Sequence, residues 1–397
     1  MQYRKDRYGN DISAIGFGCM RFTKKGTAID YEKSEKEILY AIEKGINYFD
    51  TAYIYPGSEV FLGSVLEKNR LRDRVKIATK LPQYLIRNTA SIEKYFNTQL
   101  ERLKTDHIDY YLMHMLTDLQ AWTNLKNIGI IDWITEKKKT GAIGQIGFSY
   151  HGDTAMFLDI LKDYDWDFCQ IQYNYIDEHT QAGRKGLMAA AEKGIPVIIM
   201  EPLRGGKLAT SLPKEAAAKI ADSSPKRTPA ELAFRWLYDQ SQVTCILSGM
   251  NSIEMIDENC RVADDALPGH LTDDDRALIE EIKEIINSKT KVGCTRCAYC
   301  MPCPQGVDIP GTFQFYNNMF TESKASARRN FAQVIGIRKK PAFATQCINC
   351  GKCVKHCPQG INIPEKLKEA DKALRPLPYK IAINIARKFM LDRKGSD

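Results

Sequence analysis

The chain has 397 residues, 44% hydrophobic and 27% charged, which excludes a disordered class and leaves room for two domains. Its formal charge of +8 is unevenly placed: residues 291–397 hold 19 Lys/Arg against 7 Asp/Glu, a formal +12, so residues 1–290 carry −4. The longest apolar runs, such as 195–200, are strand-sized, and no apolar stretch follows Met1-Gln2-Tyr3-Arg4-Lys5-Asp6, so neither a membrane span nor a secretory signal is expected. A cytoplasmic address follows, with no nucleic-acid partner. There, closely spaced cysteines read as metal ligands rather than disulfides.

Through residue 265 the chain alternates apolar strand-like runs with amphipathic helical runs. Strands are predicted over 12–18, 48–50, 75–80, 108–114, 143–149, 168–173, 196–201 and 245–248. Helices are predicted over 34–44, 59–66, 91–103, 131–139, 154–162, 180–193, 229–239 and 252–262. Ser34 with Glu37, and Thr228 with Pro229 and Glu231, mark helix starts; Gly45, Gly141 and Gly194 suit left-handed helix ends. Eight strand–helix units predict an α/β fold, a closed (β/α)8 TIM barrel, in preference to an open doubly wound sheet. The long connections 115–130 and 204–228 would lie at the barrel's active face as candidate lids. Cys19, Cys169, Cys245 and Cys260 stand alone and read as buried small hydrophobes. A helix over 271–287 and a polar hinge over 288–293 lead into a smaller, mainly helical second domain. The expected domains are therefore 1–290 and 291–397.

The second domain carries one cysteine phrase twice: Cys294, Cys297, Cys300 and Cys303 before Pro304, then Cys347, Cys350, Cys353 and Cys357 before Pro358. Three cysteines in step can turn one loop around a cubic cluster while a remote cysteine closes the fourth corner, as in bacterial ferredoxins. Two 4Fe–4S clusters are expected, and zinc, which favours separated pairs, is the weaker reading. Cys300 and Cys303 are two residues apart where Cys353 and Cys357 are three apart, so the reach of Cys303 to the other phrase's cluster is the open point. The repeat extends further, Cys-Pro-Gln-Gly-Val-Asp-Ile-Pro at 303–310 matching Cys-Pro-Gln-Gly-Ile-Asn-Ile-Pro at 357–364, with a helical insert over 311–333 between. The basic excess here suits anionic clusters and an acidic electron-carrier protein. Over 379–394, Ile381, Ile385 and Phe389 alternate with Lys380, Arg387, Lys388 and Arg393. Such a helix can lie on a membrane, but packing of the apolar stripe on its own domain is the preferred expectation.

In the first domain, polar residues close successive strands: Asp50 the second, Lys80 the third and His114 the fourth, with Tyr55 shortly after Asp50. Residues at the carboxyl ends of barrel strands converge on one face. Their chemistry suits carbonyl reduction. A hydride added to a carbonyl leaves negative charge on oxygen, which needs a proton. Tyr55 can donate it, although a free phenol has a pKa of about 10. A neighbouring ammonium, Lys80, is expected to lower that value, with Asp50 holding Lys80 and His114 orienting the carbonyl.

Phe49-Asp50-Thr51-Ala52-Tyr53-Ile54-Tyr55, Ala78-Thr79-Lys80, Asp109-Tyr110-Tyr111-Leu112-Met113-His114 and Gly147-Phe148-Ser149 resemble the aldo/keto reductase family over residues 1–265. The resemblance implies an oxidoreductase that reduces a small-molecule aldehyde or ketone with NADP(H) or NAD(H), through the tetrad Asp50, Tyr55, Lys80 and His114. It also implies that Ser149 and Gln170 meet the nicotinamide amide. Met200, Pro202 and Leu203 would line the ring and pyrophosphate path, and Glu258 and Asn259 would face the adenine end. Gly18, Met20, Asp50 and Ser248 complete the cofactor contacts expected at the strand ends. Three departures stand out: Tyr150 where the family often has Asn, Met200 where it often stacks an aromatic ring, and no Lys or Arg over 248–252 for a 2′-phosphate. Arg204 is the candidate cation for the phosphate path, with a surface ion pair as its other reading. With the cysteine phrases, the chain resembles the subgroup fused to a ferredoxin-like dicluster domain. Nicotinamide passes two electrons and a cubic cluster one, so a flavin in or beside the barrel is the alternative electron-splitting cofactor. A nucleotide-binding platform without turnover is the third reading, opposed by the intact tetrad.

Overall fold

A computed structural model of the chain describes residues 1–26, 28–152, 154–294, 300–321, 323–336, 342–357 and 359–392, with side chains to 387. Cys297, Pro358 and Arg393 of the sequence patterns, and the side chains of Lys388 and Phe389, lie outside the described residues. The chain divides into two compact units, Met1–Leu208 with Arg227–Arg276, and Ala209–Lys226 with Ala277–Asp397.

The first unit is a closed barrel of eight parallel strands: β1 (Ile15–Gly18), β2 (Tyr48–Asp50), β3 (Lys76–Leu81), β4 (Ile108–Leu116), β5 (Ile143–Tyr150), β6 (Phe168–Gln172), β7 (Val197–Met200) and β8 (Val243–Ser248). Each strand pairs with the next in sequence, and β8 closes on β1. The register pairs Gly18 with Asp50, Asp50 with Ala78, Lys80 with Leu112, and Gln170 with Ser149, so the polar strand ends share one level. Inside the barrel Tyr48, Tyr110, Phe168, Ile198, Cys245 and Leu247 pack together. Gly16 has no room for a side chain there: a Cβ would fall 2.9 Å from Leu247 and 3.0 Å from Cys245. A second, larger apolar cluster joins the outer strand faces to the helices and takes in Cys19, Cys169 and Cys260. All four lone cysteines are buried.

The hairpin Tyr3–Lys5 with Asp11–Ser13 covers the amino-terminal end of the strands. There Asp6 accepts from Tyr110 Oη at 2.6 Å, from Asn10 and from Gln145, which keeps its carboxyl below the ordinary range despite burial.

Two sequence expectations change. The connection 115–130 is not an irregular loop: β4 runs to Leu116, and Asp118 caps a helix over Leu119–Ile128 by accepting from Ala121 N at 2.8 Å. Gly129, at φ 97°, then turns directly into the helix Ile130–Lys139. The connection 204–228 contributes the helix Lys214–Ala221, and 209–226 belongs to the second unit. Within that unit Lys219 pairs with Glu281 and Glu215 with Lys289.

The second unit is mainly helical, built from Ile309–Thr321, Lys324–Phe331, Ile363–Leu374 and Leu377–Asp392 around Val307, Phe313, Phe331, Ile335, Leu367, Leu374 and Ile383. The sequence repeat is also a structural one. Gly306 N donates to Cys303 O at 2.9 Å and Gly360 N to Cys357 O at 3.1 Å. Both glycines sit at positive φ, 71° and 61°, which a side chain would strain. Each turn then leads into a helix that opens with Ile-Pro, Ile309-Pro310 and Ile363-Pro364. Among the described residues no helix is long and apolar enough to cross a membrane. The C-terminal helix departs from expectation. It buries Ile383 but leaves Ile381 and Ile385 more than half exposed.

Candidate functional site

At the carboxyl ends of the strands, Lys80 is fully enclosed and Asp50 nearly so. Lys80 Nζ donates to both Asp50 oxygens and to Thr51 O, all at 2.7 Å, which uses the three protons of an ammonium. Burial alone would lower the Lys80 pKa, but Asp50 and Tyr55 outweigh it and the group is raised, so it stays charged. Burial pushes the Asp50 carboxyl up, against Lys80 and the hydrogen bond from Gln170.

Tyr55 is carried by the turn after β2, where Tyr55 N donates to Ala52 O at 3.0 Å and Ser58 N to Tyr55 O at 3.1 Å. The Lys80 ammonium lies 5.4 Å from the Tyr55 ring centre, and the His114 ring meets Tyr55 edge-on at 6.3 Å between centres. The structure thus brings Asp50, Tyr55, Lys80 and His114 together. The expected direction of the phenol's acidity does not hold: burial raises the Tyr55 pKa, and the lowering pull of Lys80 is the smaller effect. Burial, then the Lys80 charge, lowers His114 to about 3, so its imidazole is neutral at neutral pH.

A buried network supports Lys80 from behind, and the sequence reading missed it. Glu59 accepts from Thr79 Oγ1 at 2.7 Å, Gln99 Nε2 at 2.8 Å and Arg102 Nη1 at 3.1 Å. Gln99 also donates to Lys80 O at 3.1 Å and accepts from Tyr111 Oη at 2.8 Å. Nothing in one sequence distinguishes such helix residues from a solvated face, because their partners come from other elements.

The expected cofactor residues sit in different states. Ser149 Oγ accepts from Met115 N at 2.9 Å, which leaves its O–H free to donate. That contact exists because the β4–β5 register shifts between Met113 and Leu116 and Met115 turns to φ 56°. Gln170 Oε1 and His114 Nδ1 are buried acceptors or donors with no partner among the described residues. Asn259 Nδ2 donates to Ser248 Oγ at 3.1 Å, and Glu258 accepts from Thr228 Oγ1, the cap of the helix Pro229–Tyr238. Gly18 and Met200 end β1 and β7, Met20 is exposed after β1, and Pro202 and Leu203 follow β7. Arg204, at φ 48°, makes an ion pair: its Nε lies 3.1 Å from Asp177, a buried carboxylate that also accepts from Gln172 and Asn174.

Arg21 is the cation the sequence reading passed over. A Cβ at Gly249 would sit 3.1 Å from Arg21 Cδ, and one at Gly205 would sit 2.9 Å from its Nη2, so the side chain lies against the loops after β8 and β7. The glycines themselves were the available signal.

In the second unit, Cys303, Cys347, Cys350 and Cys353 border one cavity of about 340 Å³, with Cys300 and His356 also at its wall. Burial and then the neighbouring Cys347, Cys350 and Cys303 raise the Cys353 thiol. The loop is turned around the cavity by Asn349 and Gly351 at positive φ, 55° and 71°. Cys303 thus shares the cavity with the second phrase's three cysteines, as Cys300 does, and it is one of the charges acting on Cys353. Among the described residues no three His, Cys, Asp or Glu side chains close on a single ion. The cavity far exceeds the space of one tetrahedral ion about 2.3 Å from its sulfurs, so the thiols fit a polynuclear group. Cys294 and Cys357 pack against the same domain core.

Comparison with known proteins agrees with both units. The aldo/keto reductase family matches residues 14–284, and a 4Fe–4S dicluster domain matches residues 293–361. The chain is 30% identical over 278 residues to an aldo-keto reductase of Mycolicibacterium vanbaalenii, covering 69% of this chain and 90% of the relative. It is 26% identical over 293 residues to the NADH-specific methylglyoxal reductase of Escherichia coli, covering 63% and 87%. The holo form of aldo-keto reductase AKR11C1 from Bacillus halodurans superposes with a TM-score of 0.58 at 25% identity, covering 71% of this chain and 96% of that one. With its closed barrel and the family match over more than half its length, the chain belongs to the aldo/keto reductase family, as an oxidoreductase that also carries a 4Fe–4S domain.

Proposed function

We propose that the barrel reduces aldehyde or ketone groups of small molecules with NAD(P)H, that Tyr55 supplies the proton, and that the cysteine module holds two 4Fe–4S clusters for electron transfer or redox sensing. The observation that carries the reading is the enclosed Lys80 ammonium, gripped by Asp50 and placed 5.4 Å from the Tyr55 ring. A phenol held protonated by burial is ready to donate, and Lys80 stabilises the phenolate left afterwards. Neutral His114 can donate a hydrogen bond to the carbonyl oxygen without bringing a charge. Bound nicotinamide supplies the hydride. Its carboxamide fits the two groups left open at β5 and β6: Ser149 O–H to donate to its oxygen, and Gln170 Oε1 to accept from its nitrogen. Gly18, Met20, Met200, Pro202 and Leu203 would border the ring and pyrophosphate, with Ser248, Glu258 and Asn259 toward the adenine.

The similarity to a methylglyoxal reductase supports a small carbonyl substrate and NADH as one cofactor to test. Cys303, Cys347, Cys350 and Cys353 would hold one cluster, and Cys294, Cys297, Cys300 and Cys357 the other; a bound cluster supplies one-electron transfer. A basic module of this kind suits an acidic carrier protein as redox partner. The test is anaerobic purification, iron and acid-labile sulfide analysis, and turnover of an aldehyde and ketone panel with NADPH and with NADH. Iron and sulfide near eight each per chain, from two four-iron clusters, with carbonyl turnover are expected. Zinc without sulfide would overturn the cluster assignment. An extracted flavin band without nicotinamide-dependent turnover would replace the hydride assignment with flavin chemistry.

A further inference from the structure

The helix Ile363–Leu374 separates two cavities. Pro364 and Leu367 line the thiol-bordered one, whereas Lys368 and Lys372 line another of about 360 Å³, completed by Arg375, Leu377 and Lys380 among others. Arg375 is already engaged. It donates to Asp371 at 2.6 Å and to Thr345 at 3.1 Å, and it lies 4.0 Å over the Phe343 ring. That also occupies the cavity's one carboxylate, Asp371. The ammonium groups of Lys368, Lys372 and Lys380 have no hydrogen bond or ion pair among the described residues.

From the rim of this cavity the helix Leu377–Asp392 sets Leu377, Ile381 and Ile385 on one stripe, 71%, 53% and 52% exposed. Ile383, on the other side, is buried and would touch a Cβ at Gly336 at 3.2 Å, so the helix already has its packing face. The exposed stripe is thus a second apolar face beside unpaired lysines. Aliphatic residues at i, i+4 and i+8 next to cations are the pattern of a helix lying in a lipid headgroup layer. Residues 291–397 carry a formal +12, complementary to an anionic leaflet. A soluble acidic carrier would satisfy the lysines and leave the aliphatic stripe in water.

We propose that this face docks on an anionic phospholipid surface, with headgroup phosphates held by Lys368, Lys372 and Lys380 and with Leu377, Ile381 and Ile385 entering the headgroup boundary. Pro364 and Leu367 would then border the cluster cavity from the same helix whose lysines meet the lipid.

The test is flotation of the anaerobically purified full chain with vesicles of phosphatidylglycerol mixed into phosphatidylcholine, and with phosphatidylcholine alone. Flotation with the anionic vesicles only, weakened by salt, is expected. Replacing all three lysines (Lys368→Ser, Lys372→Ser, Lys380→Ser) should weaken it on the order of 100-fold, at about fivefold per surface cation. The pair Ile381→Asp and Ile385→Asp should weaken it by roughly tenfold or more. An unchanged visible cluster spectrum and circular dichroism would show that both variants fold. A wild-type chain that does not float, or two folded variants that float like wild type, would overturn the proposal. So would a wild-type dimer that Ile381→Asp dissociates in the absence of vesicle binding. Binding of glycerol phosphate without flotation would make the cavity a soluble phosphate site and equally overturn it.

Discussion

At the barrel mouth the chain supplies its own counter-charges. Lys80 has three acceptors, Glu59 has three donors, and Asp50 is held by the group it holds. In the cysteine module the reverse holds: Cys303, Cys347, Cys350 and Cys353 face a cavity of about 340 Å³, and burial together with its thiol neighbours raises the Cys353 thiol. Preorganised charges cost their desolvation once, during folding, and then need no rearrangement when charge develops in a reaction. Gathered thiols gain their stabilisation only when a group is bound, so the two units should respond oppositely to loss of their ligands.

The largest expected effect follows directly. Chelating iron under air should abolish the cooperative melting of the cysteine module and expose its helices to protease, while the barrel keeps its melting transition. Calorimetry and limited proteolysis before and after chelation check this; a module that melts unchanged without iron would erase the contrast. Next is Lys80→Met. It strands Asp50 as a buried charge and should cost about 3–5 kcal/mol in denaturant unfolding of the barrel. Adding Asp50→Asn should recover much of that stability and none of the turnover. Smaller is Glu59→Gln, which keeps the shape but weakens charge-assisted bonds to Arg102, Thr79 and Gln99; a loss of about 1–3 kcal/mol is expected.

The smallest effect is a slope. His114 is held at about 3 when folded, below its ordinary value near 6.5. The unfolded chain therefore binds this proton first as pH falls. The stability linked to neutral His114 is complete above about 6.5 and is lost as pH falls toward about 3. Denaturant melts from neutral to mildly acidic pH should be flatter in His114→Gln than in wild type.

These contrasts also explain what could be read from the chain alone. The convergence of Asp50, Tyr55, Lys80 and His114 was legible because Asp50 ends β2, Lys80 and His114 lie near the ends of β3 and β4, and Tyr55 follows β2, and barrel topology brings such positions to one level. The cysteine phrases were legible because ligand spacing is local. The helix Leu119–Ile128 was not, because its cap Asp118 and its terminal Gly129 lie inside what reads as one long connection. The Glu59–Gln99–Arg102 network and the placement of Arg21 depend on residues brought from distant elements. The direction of the Tyr55 shift was misjudged for a related reason. The neighbouring ammonium can be inferred from sequence, but the depth of burial that outweighs it cannot. The C-terminal stripe has the correct helical period, yet the period cannot say which of two apolar faces meets the core.

The central claim is that an enclosed Asp50–Lys80 pair serves a protonated Tyr55 at the barrel mouth. Turnover of the same aldehyde by wild type and Tyr55→Phe, with the NAD(P)H dissociation constant measured for both, tests it most directly. The kcat of the Phe variant should fall by roughly 10²–10⁴-fold with cofactor affinity unchanged. An unaltered kcat in the Phe variant would contradict it.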